Sequence, residues 1–329
     1  MKSIRMETGH SALRRTLMGL CLAAAAAAAA SPAQAERVIR LIVPYGPGAT
    51  LDTVARNFNA DLGKALGATV IVENRAGAGG TMGTTFVARS TDHNTLLFTA
   101  ASHNLAPSLY RSPGYDPIKD FSGVAYVGNA GFVIAVPGTL GVDSLQDYIK
   151  AIKAKPGELN YSSAGNGGAT HLAMASFLAN VGGKMQHIPM KATGDAINEV
   201  LAGRTQGTAA AVPAIIGFKN DARVKMLAYT GAKRSPLLPD LPTAAEAGAP
   251  GYKYDTWFGI LAPRNMPQDE IDKIHAAMDK VLADTTVQAR LTRLGIDSEQ
   301  MSAEAFNTLL RKDFEAAGPL VKASGANIE

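Results

Sequence analysis

Four turns in this chain combine glycine with small hydroxyl residues, and each has the form of a strand running into a helix. They follow Tyr45, Asn74, Ser163 and Lys191. Glycines at 46, 48, 77, 79, 80, 165, 167, 168 and 194 would let a small ligand approach the backbone closely. Thr50, Ser102, Ser163, Thr170 and Thr193 would add hydroxyl donors. N–H groups in the first turn of a helix have no partner within it and carry partial positive charge, so such turns capture anions. Neutral donors converging on one place, with few fixed cations, suit one or two carboxylates better than a polyphosphate. A single turn of this kind is ordinary loop chemistry; its recurrence is what points to a site.

The sequence offers little for catalysis. Gly77-Ala78-Gly79-Gly80-Thr81-Met82 departs from the dinucleotide fingerprint, because Met82 stands where the last glycine belongs. There is no Walker A string and no Gly-x-Ser-x-Gly elbow. The histidines at 93, 103, 171, 187 and 275 form no i,i+4 metal pair, so neither a metal nor a cofactor is expected and no catalytic residue is assigned. His171 beside a Ser or Thr is the one base–nucleophile pairing that can be assembled, and it reads equally well as a helix-start histidine bonded to its loop. Asp52 and Asp195 fall in first helical turns, where carboxylates complement the helix dipole. Trp257-Phe258 reads first as core or hinge packing and second as a platform for a ring.

The elements around these turns alternate. Val38–Val43, Ala68–Glu73, Thr95–Thr99, Leu159–Ser163 and His187–Met190 are predicted strands. Leu51, Val54, Ala55, Phe58 and Leu62 follow helical spacing up to the breaker Gly67. Further helices are predicted from Thr81 to Arg89, from Ala169 to about Asn180, from Asp195 to Leu201, after Pro267 and after Ser302. Strand–helix alternation of this length defines an α/β fold with mainly parallel sheets flanked by helices, and places ligand beyond the carboxyl ends of the strands. Pro107, Pro113, Pro117, Gly123 and Gly128 interrupt the pattern. Val124–Val127 and Phe132–Val136 read as short strands crossing between two lobes, and Thr256–Pro263 as a second crossing.

Residues 1–35 are set apart from this pattern. Lys2, Arg5, Arg14 and Arg15 precede an apolar stretch from Thr16 to Ala30 and then Ala33-Gln34-Ala35, the three-part form of a secretory signal peptide cleaved after Ala35. Cys21, the chain's only cysteine, lies in the apolar stretch and ahead of the cleavage site, so the mature protein has no thiol and no lipid anchor is expected. The net charge of +4 falls to about +1 without the leader, which leaves no basic footprint for nucleic acid. A soluble, periplasmic mature protein is expected.

Three strings resemble a known family. They are Val43-Pro44-Tyr45-Gly46-Pro47-Gly48-Ala49-Thr50-Leu51-Asp52, Val72-Glu73-Asn74-Arg75-Ala76-Gly77-Ala78-Gly79-Gly80 and the run from Ala232 to Gly248 containing Arg234-Ser235-Pro236 and Pro239-Asp240-Leu241-Pro242-Thr243. The chain from about residue 38 onward is similar to the substrate-binding receptors of tripartite tricarboxylate transporters, the Bug family. The resemblance implies a two-lobed, type II-like periplasmic binding protein fold with the ligand cleft between lobes. Residues 36–135 plus 260–329 would form one lobe and 136–259 the other. It further implies a small organic carboxylate ligand, membrane transporter subunits as partners, and a monomer. By position it assigns ligand contacts to Tyr45, Gly48, Ala49, Thr50, Asp52, Gly77, Gly79 and Gly80. In the second lobe it assigns them to Ser163, Gly165, Thr170, His171, Thr193, Gly194 and Asp195. Ala100 and Ser102, at the end of the third strand, and Phe258, at the second crossing, complete the candidate set. The chain departs from the family pattern at Gly46-Pro47-Gly48-Ala49, at Met190-Lys191-Ala192 and at Met174. Met190, Trp257 and Phe258 near the pocket would favour a monocarboxylate or an aromatic acid. An enzyme acting on a carboxylate in the same cleft, or a receptor reporting ligand to a membrane signalling protein, fits the same residues.

Overall fold

The computed structural model describes residues 37–324; the leader and its Ala35 cleavage site lie outside the described residues. Nine strands form two connected sheets that share one strand. In the first, β1 (Val38–Val43) lies between β2 (Thr69–Asn74) and β3 (Thr95–Ala100), parallel to both. Next to β3 comes β9 (Asp255–Pro263), antiparallel, and then β4 (Phe121–Pro137). Beyond Gly131, β4 enters the second sheet. There Phe132–Pro137 pairs with β7 (Thr208–Ala211) on one side and β8 (Val224–Tyr229) on the other. Parallel β5 (Asn160–Ser163) and β6 (Gln186–Pro189) extend that sheet past β7.

The helices pack where their apolar stripes dictate. Helix α1 (Thr50–Leu66) buries Leu51, Val54, Ala55, Phe58 and Leu62, and ends on Gly67 in the left-handed region. The helices that follow it are α2 (Thr81–Ala88), α3 (Ser102–Leu109), α4 (Leu145–Ala154), α5 (Ala169–Val181), α6 (Thr193–Leu201) and the short α7 (Val212–Ile215). Then come α8 (Gln268–Ala283), α9 (Thr285–Arg293) and α10 (Ala303–Ser324). Side chains alternate along the strands, so Phe258 belongs to the core on one face of the first sheet and Trp257 to the core on the other. The second sheet has its own two cores, around Tyr148 and Phe177 and around Val200 and Ile215. A fifth cluster joins helices from both regions: Leu105 and Leu109 of α3, Ala317 and Val321 of α10, and Leu172 of α5.

The two short strands expected between residues 124 and 136 are one strand of 17 residues. The glycines read as breaks are instead points of close approach. Gly128 has φ +151°, and a Cβ on it would lie 2.5 Å from the Asp297 carbonyl oxygen; the ladder with β9 shifts register beside it. Pro107, also read as an interruption, sits inside α3.

Glycine also lets α10 lie flat on the first sheet. A Cβ on Gly259 would come within 2.4 Å of the Phe306 ring, and one on Gly123 within 2.9 Å of the same ring. Phe306 is fully buried. Gly259→Ala is therefore expected to destabilise the protein by about 1–3 kcal/mol through overpacking, lowering the melting temperature by several degrees. Adding Phe306→Leu in the same chain should recover part of that loss; two independent, additive losses would contradict the contact.

Candidate functional site

The registers bring the strand ends together. Ala100 at the end of β3 pairs with Phe258 near the start of β9, and the first residues of β9 pair with β4 from Gly128 to Gly131. From the other side, Phe132 of β4 pairs with Ala211 at the end of β7, and β5 runs parallel to β7. The carboxyl ends of the parallel strands in both sheets thus converge on the crossing point of β4.

Helices starting on that rim lack side-chain caps. The N-cap residues of α1, α2, α3, α5 and α6 are Ala49, Gly80, Ala101, Gly168 and Ala192, and none makes a capping hydrogen bond through its side chain. Three of the other helices have a side-chain cap, while the short α7 has none. Ser144 accepts from the Asp147 N–H at α4, Asp284 from the Thr286 and Val287 N–H groups at α9, and Ser302 from the Ala305 N–H at α10. Helix α8 has no side-chain cap but carries Asp269 and Glu270 in its first turn. These starts thus lack a side-chain cap on one rim of the molecule, although the Thr81 N–H of α2 bonds the Ala78 carbonyl and the Asn104 N–H of α3 bonds the Ala101 carbonyl.

In the first sheet three of these turns are tied together. The Tyr45 hydroxyl lies 3.0 Å from Ser102 Oγ and 3.3 Å from the Gly79 carbonyl oxygen. Burial pushes its pKa up, so it remains a neutral donor. Asn74 Nδ2 donates to the Tyr45 carbonyl at 3.0 Å, Arg56 donates to Asn74 Oδ1 at 3.0 Å, and Arg56 Nε donates to Asp52 Oδ1 at 2.9 Å. Asp52 Oδ2 accepts the Gly48 N–H at 2.9 Å. Burial opposes ionisation of Asp52, but the Gly48 N–H, Asn74 and Arg56 outweigh it and hold the carboxyl below its ordinary range. Asp52 therefore shapes the turn as an anion. Gly79 has φ +63°, and a Cβ there would meet the Tyr110 hydroxyl at 2.0 Å. Arg75, the cation of the Asn-Arg string, donates to Glu73 at 2.7 Å and lies over the Phe86 ring at 3.5 Å. Ala49 has φ −64°, which any residue adopts, so its place in the family's glycine pattern introduces no strain.

In the second sheet the expected hydroxyl donors are occupied by their own turn. Ser163 Oγ accepts the Gly165 N–H at 3.2 Å, donates to the Gly165 carbonyl at 3.0 Å, and shares a 2.6 Å hydrogen bond with His187 Nε2. Thr170 Oγ1 accepts the Ala164 N–H at 2.8 Å, and His171 Nδ1 accepts the Gly167 N–H at 3.0 Å. His171 stacks on His187 with ring centroids 3.7 Å apart, and Tyr161 stacks on His187 at 5.0 Å. Burial, followed by the neighbouring His187, lowers the His171 pKa to about 4 against a small opposing effect of the Ser324 backbone. Burial also lowers that of His187.

The structure therefore groups Tyr45, Gly79, Gly80 and Ser102 on one side, and Ser163, Gly165, Thr170 and His171 on the other. Leu172, next to His171, packs with Leu105 and Leu109 of the helix that Ser102 begins, which brings the two groups onto one rim. Gly48, Ala49 and Thr50 lead into α1, and Gly77 precedes the short turn that opens α2. Thr193, Gly194 and Asp195 form the first turn of α6, with Gly194 and Asp195 exposed. Ala100 and Phe258 pair across the β3–β9 ladder and are buried at 8% and 4% exposure. Trp257 is likewise in the core, donating through Nε1 to Asp313 at 2.9 Å. Met174, a departure from the family pattern, is fully buried in the second-sheet core. Sequence reasoning did not single out Tyr110, the Asn74–Arg56 brace or His187. The signal for His187 was its strand position opposite Tyr161.

Among the described residues no group of three or more His, Cys, Asp or Glu is placed to hold a metal. A pocket of about 140 Å³ lined by Asn129, Lys233, Ser235, Lys253, Asp255 and Asp297 shares no residue with the glycine-rich turns. No helix among the described residues is long and apolar enough to cross a membrane.

A rim of uncapped helix starts at the carboxyl ends of two sheets sharing a strand is the arrangement of a solute-binding protein. Residues 54–326 match the tripartite tricarboxylate transporter family receptor, and the chain belongs to that family. The UPF0065 protein of the tcbD-tcbE intergenic region in Pseudomonas sp. strain P51 is 30% identical over 92% of this chain and 91% of its own. The periplasmic binding protein BugD is 31% identical and superposes with a TM-score of 0.74 over 89% of this chain and 99% of its own. A Rhodopseudomonas palustris protein with adipate is 28% identical (TM-score 0.77, 89% and 99% covered). MatC of the same organism, with bound malate, is also 28% identical (TM-score 0.72, 87% and 99% covered).

The Tyr45 hydroxyl is the group that joins the three first-sheet turns. Tyr45→Phe is expected to remove about 1 kcal/mol of hydrogen bonding while keeping the ring in place, so the melt should fall by a few degrees and ligand affinity several-fold. An unchanged dissociation constant in calorimetric titration would show that the three turns hold their positions without the hydroxyl.

Proposed function

We propose that this protein is a periplasmic receptor that captures a small organic carboxylate between two lobes and delivers it, as a monomer, to the membrane subunits of a tripartite transporter. The observation that carries this reading is the row of uncapped helix starts on one rim. Each first turn attracts a carboxylate by about 0.3–1 kcal/mol when exposed and by more when partly buried. The cations nearest the first-sheet turns, Arg56 and Arg75, are engaged by Asp52 and Glu73, so recognition falls to neutral donors. The lobes are the two sheets with their helices, connected through β4 and the segment entering β9. Secretion follows from the leader, cleaved after Ala35.

Two groups of donors, one per sheet, suit a ligand with a carboxylate at each end. The adipate and malate in the two R. palustris neighbours are of that kind. Two of the three residues read as favouring a monocarboxylate or an aromatic acid, Trp257 and Phe258, are taken up by core packing. Short dicarboxylates are therefore the favoured ligands.

The rival reading, catalysis on the carboxylate, has one Ser–His contact to draw on, Ser163 with His187. Ser163 is fully buried, and its hydroxyl is already engaged by Gly165 as well as by His187. That occupancy favours binding without chemistry.

The decisive measurement is thermal melting of mature protein against dicarboxylates, monocarboxylates and aromatic acids. A true ligand at a hundred times its dissociation constant adds about 2.7 kcal/mol, a shift of several degrees. Short dicarboxylates should produce it and equal-length monocarboxylates should fall well short. Protein unfolded, dialysed and refolded to strip carried ligand, yet unmoved by every carboxylate, would end this reading.

A further inference from the structure

His171 was expected to touch ligand, but its ring is directed at its own turn. A backbone N–H can only donate, so the 3.0 Å contact from Gly167 requires Nδ1 to be an unprotonated acceptor, with the proton of the neutral ring on Nε2. Gly167 is buried with φ +71°, a conformation that a bond to its N–H helps to fix. Together with Thr170 on Ala164 and Ser163 on Gly165, this bond holds three N–H groups of the second-sheet turn. The turn leads directly into the uncapped start of α5.

We propose that His171 is a positioning residue: its neutral imidazole braces the Gly165–Gly168 turn in the shape that binds ligand, and protonation of the ring releases that turn and the ligand with it. This rests on the receptor reading above and adds to it a control on the same site. The imidazolium would place an N–H donor against the Gly167 N–H donor at 3.0 Å, so the ring or the turn must move. The side chains facing the ring are Tyr161 from β5 and His187 from β6, neither of them an anion, and a Ser324 backbone hydrogen bond from α10 favours the charged ring without overcoming burial and His187. His187 lies face to face with His171 and would repel it if it were also charged. A positive ring would by itself attract a carboxylate, so the sign of the effect separates the two roles. A brace loses ligand in acid, whereas a direct cationic contact gains it.

The variant that isolates the brace is His171→Asn, whose Oδ1 takes the place of Nδ1 as an acceptor and does not titrate. His171→Leu removes the acceptor and keeps the bulk. Binding of adipate is measured by calorimetric titration from pH 7 to pH 4 in wild type and both variants. Adipate itself protonates in this range, so the comparison is between proteins at each pH. His171→Asn should match wild type at pH 7 and bind about two-fold tighter than wild type at pH 4, where about half of the His171 rings are protonated, while His171→Leu should be weakened throughout. In parallel, the Gly167 amide and the His171 ring are followed by NMR in ligand-free protein over the same pH range, and the two should titrate together. A Gly167 amide that stays still while His171 takes up its proton overturns the proposal. So does a wild type that holds or gains affinity in acid relative to His171→Asn. If adipate and the rest of the carboxylate panel bind none of the proteins at pH 7, the receptor reading fails, and the ligand-free Gly167 titration still decides whether His171 braces the turn.

Discussion

The first N–H groups of an α-helix have no acceptor within the helix, and the fold is arranged around where those groups are left open. A side-chain cap is the common solution, and the protein uses it at α4, α9 and α10. It withholds the cap at five helices of eight residues or more that start on one rim, as well as at the short α7 and at α8. A capping residue contributes about 1 kcal/mol, so five open starts mean stability forgone at the place where an anionic ligand can supply the missing acceptors. Parallel strands make this possible, because every strand–helix join then faces the same way.

Leaving donors open puts a demand on the loops that hold them. A glycine-rich turn is flexible, and a site built from backbone N–H groups is only as well positioned as its backbone. The first sheet meets this through the chain from Asp52 to Arg56, Asn74 and the Tyr45 carbonyl, with the Tyr45 hydroxyl reaching Ser102 and Gly79. The second sheet meets it with Ser163, Thr170 and His171, each holding one N–H of the turn. The polar side chains are thus spent on shaping the backbone, and the backbone is what remains for ligand.

That division explains what was legible in the sequence. The alternation of strand runs with helical periodicity gave the α/β class and the strands around all four turns, most clearly at β3, which is buried on both faces and reads as a continuous run, and less so at the polar β5 and the exposed β6. Strand β7 was not legible: Thr208-Ala209-Ala210-Ala211 has little strand propensity and is held by pairing with β4 and β5. Helix α4 has a readable start in Ser144 with Asp147 three residues on. At the site, residue types indicated an anion-binding rim, but the direction in which each side chain points was not encoded locally. Ser163 and a serine that contacts ligand look alike in sequence. Only packing against Gly165 and His187 separates them. Trp257 and Phe258 illustrate the same limit from the apolar side, since adjacent strand residues go to opposite faces and both faces here are buried.

The crossing of β4 between sheets follows the same logic of donor satisfaction. A strand that changes partners midway risks leaving buried N–H groups without acceptors at the change. Here the Gly131 N–H donates to the Tyr229 hydroxyl at 2.7 Å, and the Phe132 N–H donates to Thr230 Oγ1 at 2.7 Å. Thr230 Oγ1 in turn donates to the Tyr254 carbonyl at 2.5 Å, just before β9 begins. Side chains from the end of β8 therefore carry the ladder across the gap and couple both crossings. Gly131 has to be glycine for this, since a Cβ would stand 2.6 Å from the Tyr229 ring. Hydrogen bonds made by side chains tolerate changes of angle better than a rigid ladder. The joint between the sheets thus keeps its backbone donors paired although the ladder is interrupted there. The uncapped helix starts lie around that joint, at the carboxyl ends of the strands that β4 links.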